Sequence, residues 1–392
     1  HSSRAHCPLR LATGLVKLAP PARTFLEREE MQDKYVALAA ATGVRLAAGV
    51  AASDCDLIQR LRAIAVERAA AAQPRIATSV ASLQPGVGVA LPGAAYFSVA
   101  AGGLHEVLHL SGIPLRYCTG ASGGGCSGFL MLAAPDATLL LMAYLLYARS
   151  QGETTLRRGL SAALQSFRVT SFWEKLYREL LRDEGTFERI SKNGAVAVAA
   201  KPLRVALFGG AGDFEPAEDN YLLHDFADPE EAVQAYVATG EATARGFTSG
   251  VPVLADGSGF THGSGEATAL PTKYCDGGAA AIWGRSTHCL YYHTWFDTNK
   301  GDLALCTVES VERLFLQGVD DALAILAGED GARGFIIAPS DDIESVLARS
   351  GRAAQFLQRG VFVEVRQRVV RTVKEVCVMA SVAEAFREAG TS

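Results

Sequence analysis

Residues 120–124, Gly120-Ala121-Ser122-Gly123-Gly124, satisfy the spacing G-x-S-x-G and lie between a β-prone approach, "PLRYCTG", and a run of helix formers, "CSGFLMLAA". A serine on so tight a strand-to-helix turn presents its hydroxyl outward, and flanking glycines remove the Cβ atoms that would strike strand and helix. The helix N-terminus beneath adds unpaired N–H groups and a positive dipole end, which favour the oxyanion formed when a serine attacks a carbonyl. Two other readings of the stretch fail. A phosphate cradle of the form G-x-x-x-x-G-K-[ST] needs a lysine, and between Lys17 and Lys175 there is only Lys34. A flexible spacer does not belong between a strand and a helix inside a core.

A serine nucleophile needs a base. Asp276, in "KYCDGG", stands at an expected strand end before Gly277 and Gly278, where a carboxylate can approach another loop without side-chain obstruction. His288 and His293 follow it, so the chain order of a Ser-Asp-His triad stays open. A second chemistry competes. "HEVLH", His105 to His109, satisfies H-E-x-x-H, which on a helix sets His105 and His109 on one face for zinc with Glu106 as base. Its third ligand is missing, because position 115 is Leu and the next acidic residue after Glu106 is Asp136. Leu104, Val107, Leu108 and Ser111 make the buried face, so the expectation is an incidental histidine pair on a partly exposed side. His262 reads as a solvated loop histidine. The basic run "RQRVVRTVK" reads as a solvated helix face, with a lipid-facing role as the alternative.

The elements that must position these groups fit a chain of 392 residues, 49% apolar and 20% charged, long enough for one large α/β domain with extensions. A net charge of -5 offers no basic field for nucleic acid, so nucleic acid is not expected as a partner. The eight cysteines show no C-x-x-C pair or short-spaced framework, which suggests reduced thiols in a cytosol-like compartment. Residues 1–26 carry Arg4, Arg10, Lys17 and Arg23 with no acidic residue, a composition that organelle transit peptides share. The longest apolar run, "FLMLAAPDATLLLMAYLLYA", is broken by Pro135 and Asp136, which predicts two core helices meeting there and no spanning helix.

From Phe25 to about Ala72 the spacing predicts two or more helices separated near "AASDC", ended by Pro74 and "LQPGVGVALPG". Then come a strand at "VGVAL", a turn at "PGAAYF", a helix through "AAGGLHEVLHLSG", the strand and helix around Ser122, and a helical stretch over 137–185. Strands follow at "AVAVAA" and "RVALFGG", a capped helix at "DPEEAVQAYVATGEATA", and a Gly, Ser and Thr-rich loop over 248–278. A strand at "CLYYHTWF", a helix at "VESVERLFLQGVDDALAIL" and a basic amphipathic helix over 361–388 complete the chain.

These ordered pieces resemble the patatin-like phospholipases, a family with a Ser-Asp dyad, over about Val87 to Leu326. "LPGAAYFSVAAGGLHEVL" is similar to its glycine-rich oxyanion turn and following helix, "SGIPLRYCTGASGG" to its G-I-P strand and elbow, and "YCDGG" to its D-G-G motif. "GAS" and "LFLQGVDDALAIL" look most like the adipose triglyceride lipase branch. The resemblance implies a three-layer α/β fold with a mainly parallel sheet, a helical N-terminal extension over 1–85, a catalytic domain over 86–330 and a helical tail over 331–392. It implies an acyl hydrolase of acylglycerols or glycerophospholipids with Ser122 as nucleophile and Asp276 as base. Oxyanion donors would come from Gly93, Ala94, Ala95 and Gly123, with Gly120, Gly124, Gly277 and Gly278 as motif glycines and no cofactor or metal. It also implies a cytoplasmic enzyme working peripherally at a membrane or lipid droplet, open to a protein co-activator.

The family's oxyanion turn is usually a run of glycines with a basic or apolar residue after it, where this sequence has Gly93-Ala94-Ala95 and Ser98, and the Asn and Pro that often trail D-G-G are absent. Alanine tolerates positive φ poorly, so a catalytically weak lipid-binding scaffold is the alternative, with a zinc protease behind it.

Overall fold

The computed structural model describes residues 28–152, 162–199, 220–240, 275–276, 287–292, 306–330, 332–341 and 362–365. It is an α/β structure built on a mixed sheet.

Helix α1, Arg28–Thr42, buries Met31, Tyr35, Leu38, Ala39 and Thr42, a stripe at helical period, and ends at Gly43 with φ 77. The break to the next helix falls at Gly43–Gly49, ahead of "AASDC". Helix α2, Val50–Leu83, then runs straight through Pro74, which the local rule for proline predicts as an end. Two facts explain the difference. Pro74 and Ala70, whose carbonyl loses its partner, both lie on the exposed side, where water can replace the bond. The buried stripe Ala65, Ala69, Ala72, Ile76, Val80 and Leu83 continues on either side of the ring and holds the helix to the core.

Strand β1, Val87–Leu91, is buried throughout and leads into a short 3-10 turn, Ala95–Val99, and helix α3, Ala100–Leu110. Strand β2, Leu115–Gly120, returns parallel to β1 and opens helix α4, Ser122–Ala133. Pro135 and Asp136 separate α4 from helix α5, Thr138–Gly152, as expected. Helices α6, Ala162–Leu180, and α7, Glu184–Asn193, lead to strand β3, Gly194–Ala199. Strand β4, Asn220–His224, and helix α8, Pro229–Gly240, follow, the helix capped by Asp228 accepting from the Glu231 N–H at 2.9 Å. The remaining elements are β5, Cys275–Asp276; β6, His288–Tyr292; α9, Val308–Ala327; β7, Gly334–Ile337; and β8, Phe362–Val365.

The sheet order is β7-β6-β1-β2-β3-β4-β8, with β5 joined to β3. Strands β6, β1, β2 and β3 are mutually parallel, β7 and β4 run antiparallel to their neighbours β6 and β3, and β8 lies parallel to β4. β7 and β8 correct the expectation of a wholly helical tail over 331–392, and residues 362–365 within the expected helix over 361–388 form a strand. "RVALFGG", most of the loop over 248–278, His262 and His293 lie outside the described residues. Helix α2 packs on α3, α5 and α9, and the apolar core is continuous from Met31 to Leu326. α3 and α9 approach closely, since a Cβ on Gly318 would collide with the Ala100 carbonyl and one on Gly103 with the Phe315 carbonyl. Among the described residues no helix is long and apolar enough to cross a membrane.

Candidate active site

The elbow forms because β2 ends between two backbones that leave no room for side chains. A Cβ on Gly120 would lie 2.5 Å from the Gly124 carbonyl oxygen, and one on Gly124 would lie 2.5 Å from that of Pro92. The chain therefore reverses from strand to helix within Ala121, whose N–H donates to Leu91 O at 3.1 Å, and Ser122. Ser122 adopts φ 53, a left-handed conformation that costs a residue with a Cβ about 1–3 kcal/mol and is tolerated where the surroundings over-determine it. It stands at the start of α4, half-buried, and the Gly123 N–H of that first turn meets no acceptor among the described residues.

The turn after β1 lies beside the elbow because Leu91 pairs with Gly120 in the parallel ladder. Gly93 is half-buried and Ala94 buried, with φ -146 and ψ 14 at Ala94. This removes the objection raised by alanine in place of glycine, since nothing at Ala94 demands positive φ. The following 3-10 turn is tied to the elbow helix by hydroxyls. Ser127 on α4 donates to Ser98 O at 2.8 Å, and Tyr144 OH on α5 lies 2.9 Å from Ser127 Oγ and 2.6 Å from Ser98 Oγ.

Asp276 is fixed by strand register. On β3, Ala195–Ala199 pair with β4 along one edge, so β5, which pairs Asp276 with Val198, occupies the other edge, the one that β2 follows. Gly120 pairs with Val196, so Asp276 stands two residues, about 7 Å, further along the lane that β2 vacates when the chain turns into α4. The backbones of the two motifs, distant in sequence, thus follow one another in the same lane of the sheet. Gly277 and Gly278 lie outside the described residues.

His288 is placed elsewhere. It pairs with Val87, at the start of β1, about 13 Å down the strand from Leu91 and the elbow. The triad alternative with His288 as base is thereby removed.

The H-E-x-x-H segment lies on α3, but not as expected. His105 is buried, because α2, α9 and α4 all pack on α3 and leave it little free surface. Burial, joined by the charges of His109 and Arg62 and opposed by Asp136, lowers the His105 pKa to about 4, so the ring is neutral at neutral pH. Glu106, fully buried, accepts from Arg62 Nε at 2.9 Å and from the Ala137 N–H at 3.1 Å, and Arg62 also pairs with Asp136 at 3.0 Å. A glutamate so committed has no free oxygen for activating water. Among the described residues no group of three His, Cys, Asp or Glu could hold a metal ion.

The thiols whose side chains are described are poor rival nucleophiles. Cys55, Cys118, Cys126, Cys289 and Cys306 are buried and in no disulfide, and burial pushes Cys289 and Cys306 up to about 12.

Sequence reasoning missed Thr239 on α8, fully buried, whose Oγ1 accepts from the Ser122 N–H at 3.0 Å and donates to Ala197 O at 2.6 Å. It also missed Tyr144 and Ser127. None of the three carries a local signal, for each acts through a partner that folding alone brings near. No protein-family model and no curated relative matches the chain.

Proposed function

We propose that this protein is a serine acyl hydrolase of the patatin-like kind, cleaving carboxylic esters of acylglycerols or glycerophospholipids. The observation that carries the reading is the strained Ser122 at the head of α4, with the Asp276 backbone in the lane of the sheet that β2 vacates at the elbow. A parallel centre, β6-β1-β2-β3, supports a three-layer patatin-like arrangement.

In this reading Ser122 Oγ attacks the ester carbonyl carbon as its proton passes to the Asp276 carboxylate. The carbonyl electron pair moves onto oxygen, and the oxyanion is met by N–H groups of Gly93, Ala94, Ala95 and Gly123 and by the dipole end of α4. Collapse breaks the bond to the leaving alkoxide, which takes the proton from Asp276. Water then repeats the sequence on the acyl-enzyme and frees Ser122. The reaction needs no cofactor. The substrate implies work at a membrane or lipid-droplet surface, from the cytoplasmic side, in a peripheral manner.

A fluorophosphonate probe tests the reading. The folded wild type is expected to be labelled, with labelling lost in Ser122→Ala and strongly reduced in Asp276→Asn. A folded wild type that takes no label favours the lipid-binding scaffold, and retained esterase activity in Asp276→Asn overturns the dyad.

A further inference from the structure

The amide of the elbow serine is held by a helix far along the chain. Thr239, on the last turn of α8, is 0% exposed, and its hydroxyl makes two directed bonds. Its one proton goes to Ala197 O at 2.6 Å, which leaves an oxygen lone pair for the Ser122 N–H at 3.0 Å. Its methyl also fits against α4, since a Cβ on Gly125 would lie 2.7 Å from Thr239 Cγ2. One side chain therefore joins the serine, the first turn of its helix, and β3.

The point of attachment on β3 matters. Ala197 lies between Val196, which pairs with Gly120, and Val198, which pairs with Asp276. Thr239 thus ties Ser122 to the strand position where the elbow's lane passes to the strand carrying Asp276. The bond also occupies one of the N–H groups that a helix start leaves open, so the Ser122 amide is withdrawn from the oxyanion donors. A serine at φ 53 stays there only while its surroundings hold it, and the amide is the handle by which they do.

We propose that Thr239 is a positioning residue for the nucleophile, setting the Ser122 backbone so that its hydroxyl faces both the base and the oxyanion donors. This rests on the reading of Ser122 as the nucleophile.

The test uses the full chain and three readouts: the rate of fluorophosphonate labelling, kcat and KM on a p-nitrophenyl ester, and the melting temperature. Thr239→Val keeps the shape and removes the hydroxyl, whereas Thr239→Ser keeps the hydroxyl and removes the methyl. Thr239→Val is expected to lower the labelling rate and kcat by on the order of 10–100-fold with little change in KM, the size of effect that misplacing a reacting group produces. Thr239→Ser is expected to restore both to within about threefold of wild type, even with a lowered melting temperature. Labelling of folded Thr239→Val at the wild-type rate overturns the proposal, as does an equal loss in both variants that follows the melting temperature. If Thr239→Val does not fold, Thr239→Ser decides: near-wild-type labelling upholds the proposal and a loss of about tenfold or more defeats it. Failure of the underlying reading looks different, because there the folded wild type takes no label at all.

Discussion

Gly120 and Gly124 face each other across the elbow so closely that the Cα of one and the carbonyl of the other leave no volume for a methyl group. A Cβ on Gly120 would stand 2.5 Å from Gly124 O and 2.6 Å from Gly125 Cα, all backbone, which no rotamer change relieves. Gly120→Ala must therefore move α4 away from β2. The expected cost is about 1–3 kcal/mol in a urea denaturation, the range for overpacking a filled site. Because α4 carries Ser122, fluorophosphonate labelling should fall far more than the folded fraction does. Labelling that only tracks folding would mean the elbow geometry is not needed for reactivity.

Glu106 and Arg62 form the buried pair that makes structural use of the H-E-x-x-H motif, 0% and 3% exposed. Removing Glu106 leaves Arg62 with only the Asp136 carboxylate as counter-charge and takes the acceptor from the Ala137 N–H. Glu106→Leu is expected to lose stability, by less than the about 3–5 kcal/mol of a fully uncompensated buried charge, read by denaturant unfolding. The surviving folded molecules should label at Ser122 as the wild type does. Were the segment a zinc site instead, Glu106→Gln would abolish hydrolysis while leaving stability near normal, and chelation would do the same to the wild type.

Much of this arrangement was legible in the sequence because its requirements are local. A serine at φ 53 between glycines that backbone crowds on both sides leaves the spacing G-x-S-x-G as its trace. The strands "VGVAL" and "AVAVAA" and the capped helices α8 and α9 likewise follow from period and capping residues close at hand. The misreadings share an opposite cause. Pro74 stops a helix only where its freed carbonyl is buried and no stripe holds the next turn, and both conditions depend on α3 and α9. "FVEV" pairs with β4, yet its neighbours "RQRVVRTVK" impose a helical period on any window that includes it. His105 was expected near solvent because an isolated α3 has a free side, which α2, α4 and α9 together cover. Thr239 lies 117 residues from Ser122, and no spacing rule reaches that far.

His105 gives a pH dependence with a definite sign. Burial lowers its pKa from 6.5 to about 4, so the unfolded chain binds a proton at mildly acidic pH that the folded protein refuses. Stability is therefore full above about pH 6.5 and declines as pH falls toward 4. The groups facing the ring do not reverse this, since His109 and Arg62 lower the pKa further and Asp136 only offsets part of the burial effect. At 1.36 kcal/mol per unit the span corresponds to roughly 3 kcal/mol. Unfolding free energies measured between pH 7 and 4.5 should show this decline in the wild type and a shallower one in His105→Phe or His105→Asn. An unchanged slope in both variants would assign the acid sensitivity to other groups.

The Ser98, Tyr144 and Ser127 hydroxyls form a ring whose direction follows from counting protons. Ser98 O can only accept, so the single proton of Ser127 is spent there, and Tyr144 must donate to Ser127 Oγ. Tyr144 then has no proton left, so Ser98 Oγ donates to it. The ring binds the turn after the expected oxyanion donors to the helix bearing Ser122, the proposed nucleophile, with α5 as the third anchor. Ser127→Ala takes two bonds from it and leaves the Ser98 carbonyl and the Tyr144 hydroxyl buried without that partner. A stability loss of about 1–3 kcal/mol is expected on that ground alone. Because the turn would lose its register against α4, kcat on a p-nitrophenyl ester should fall by about tenfold, with KM nearly constant, as when an interaction made chiefly in the transition state is weakened. Tyr144→Phe keeps the ring packed edge-on against Trp173 and leaves the Ser127 bond to Ser98 in place, so its effect on kcat should be smaller than that of Ser127→Ala. The reverse order would show that the tyrosine, and not the serine on α4, fixes the turn.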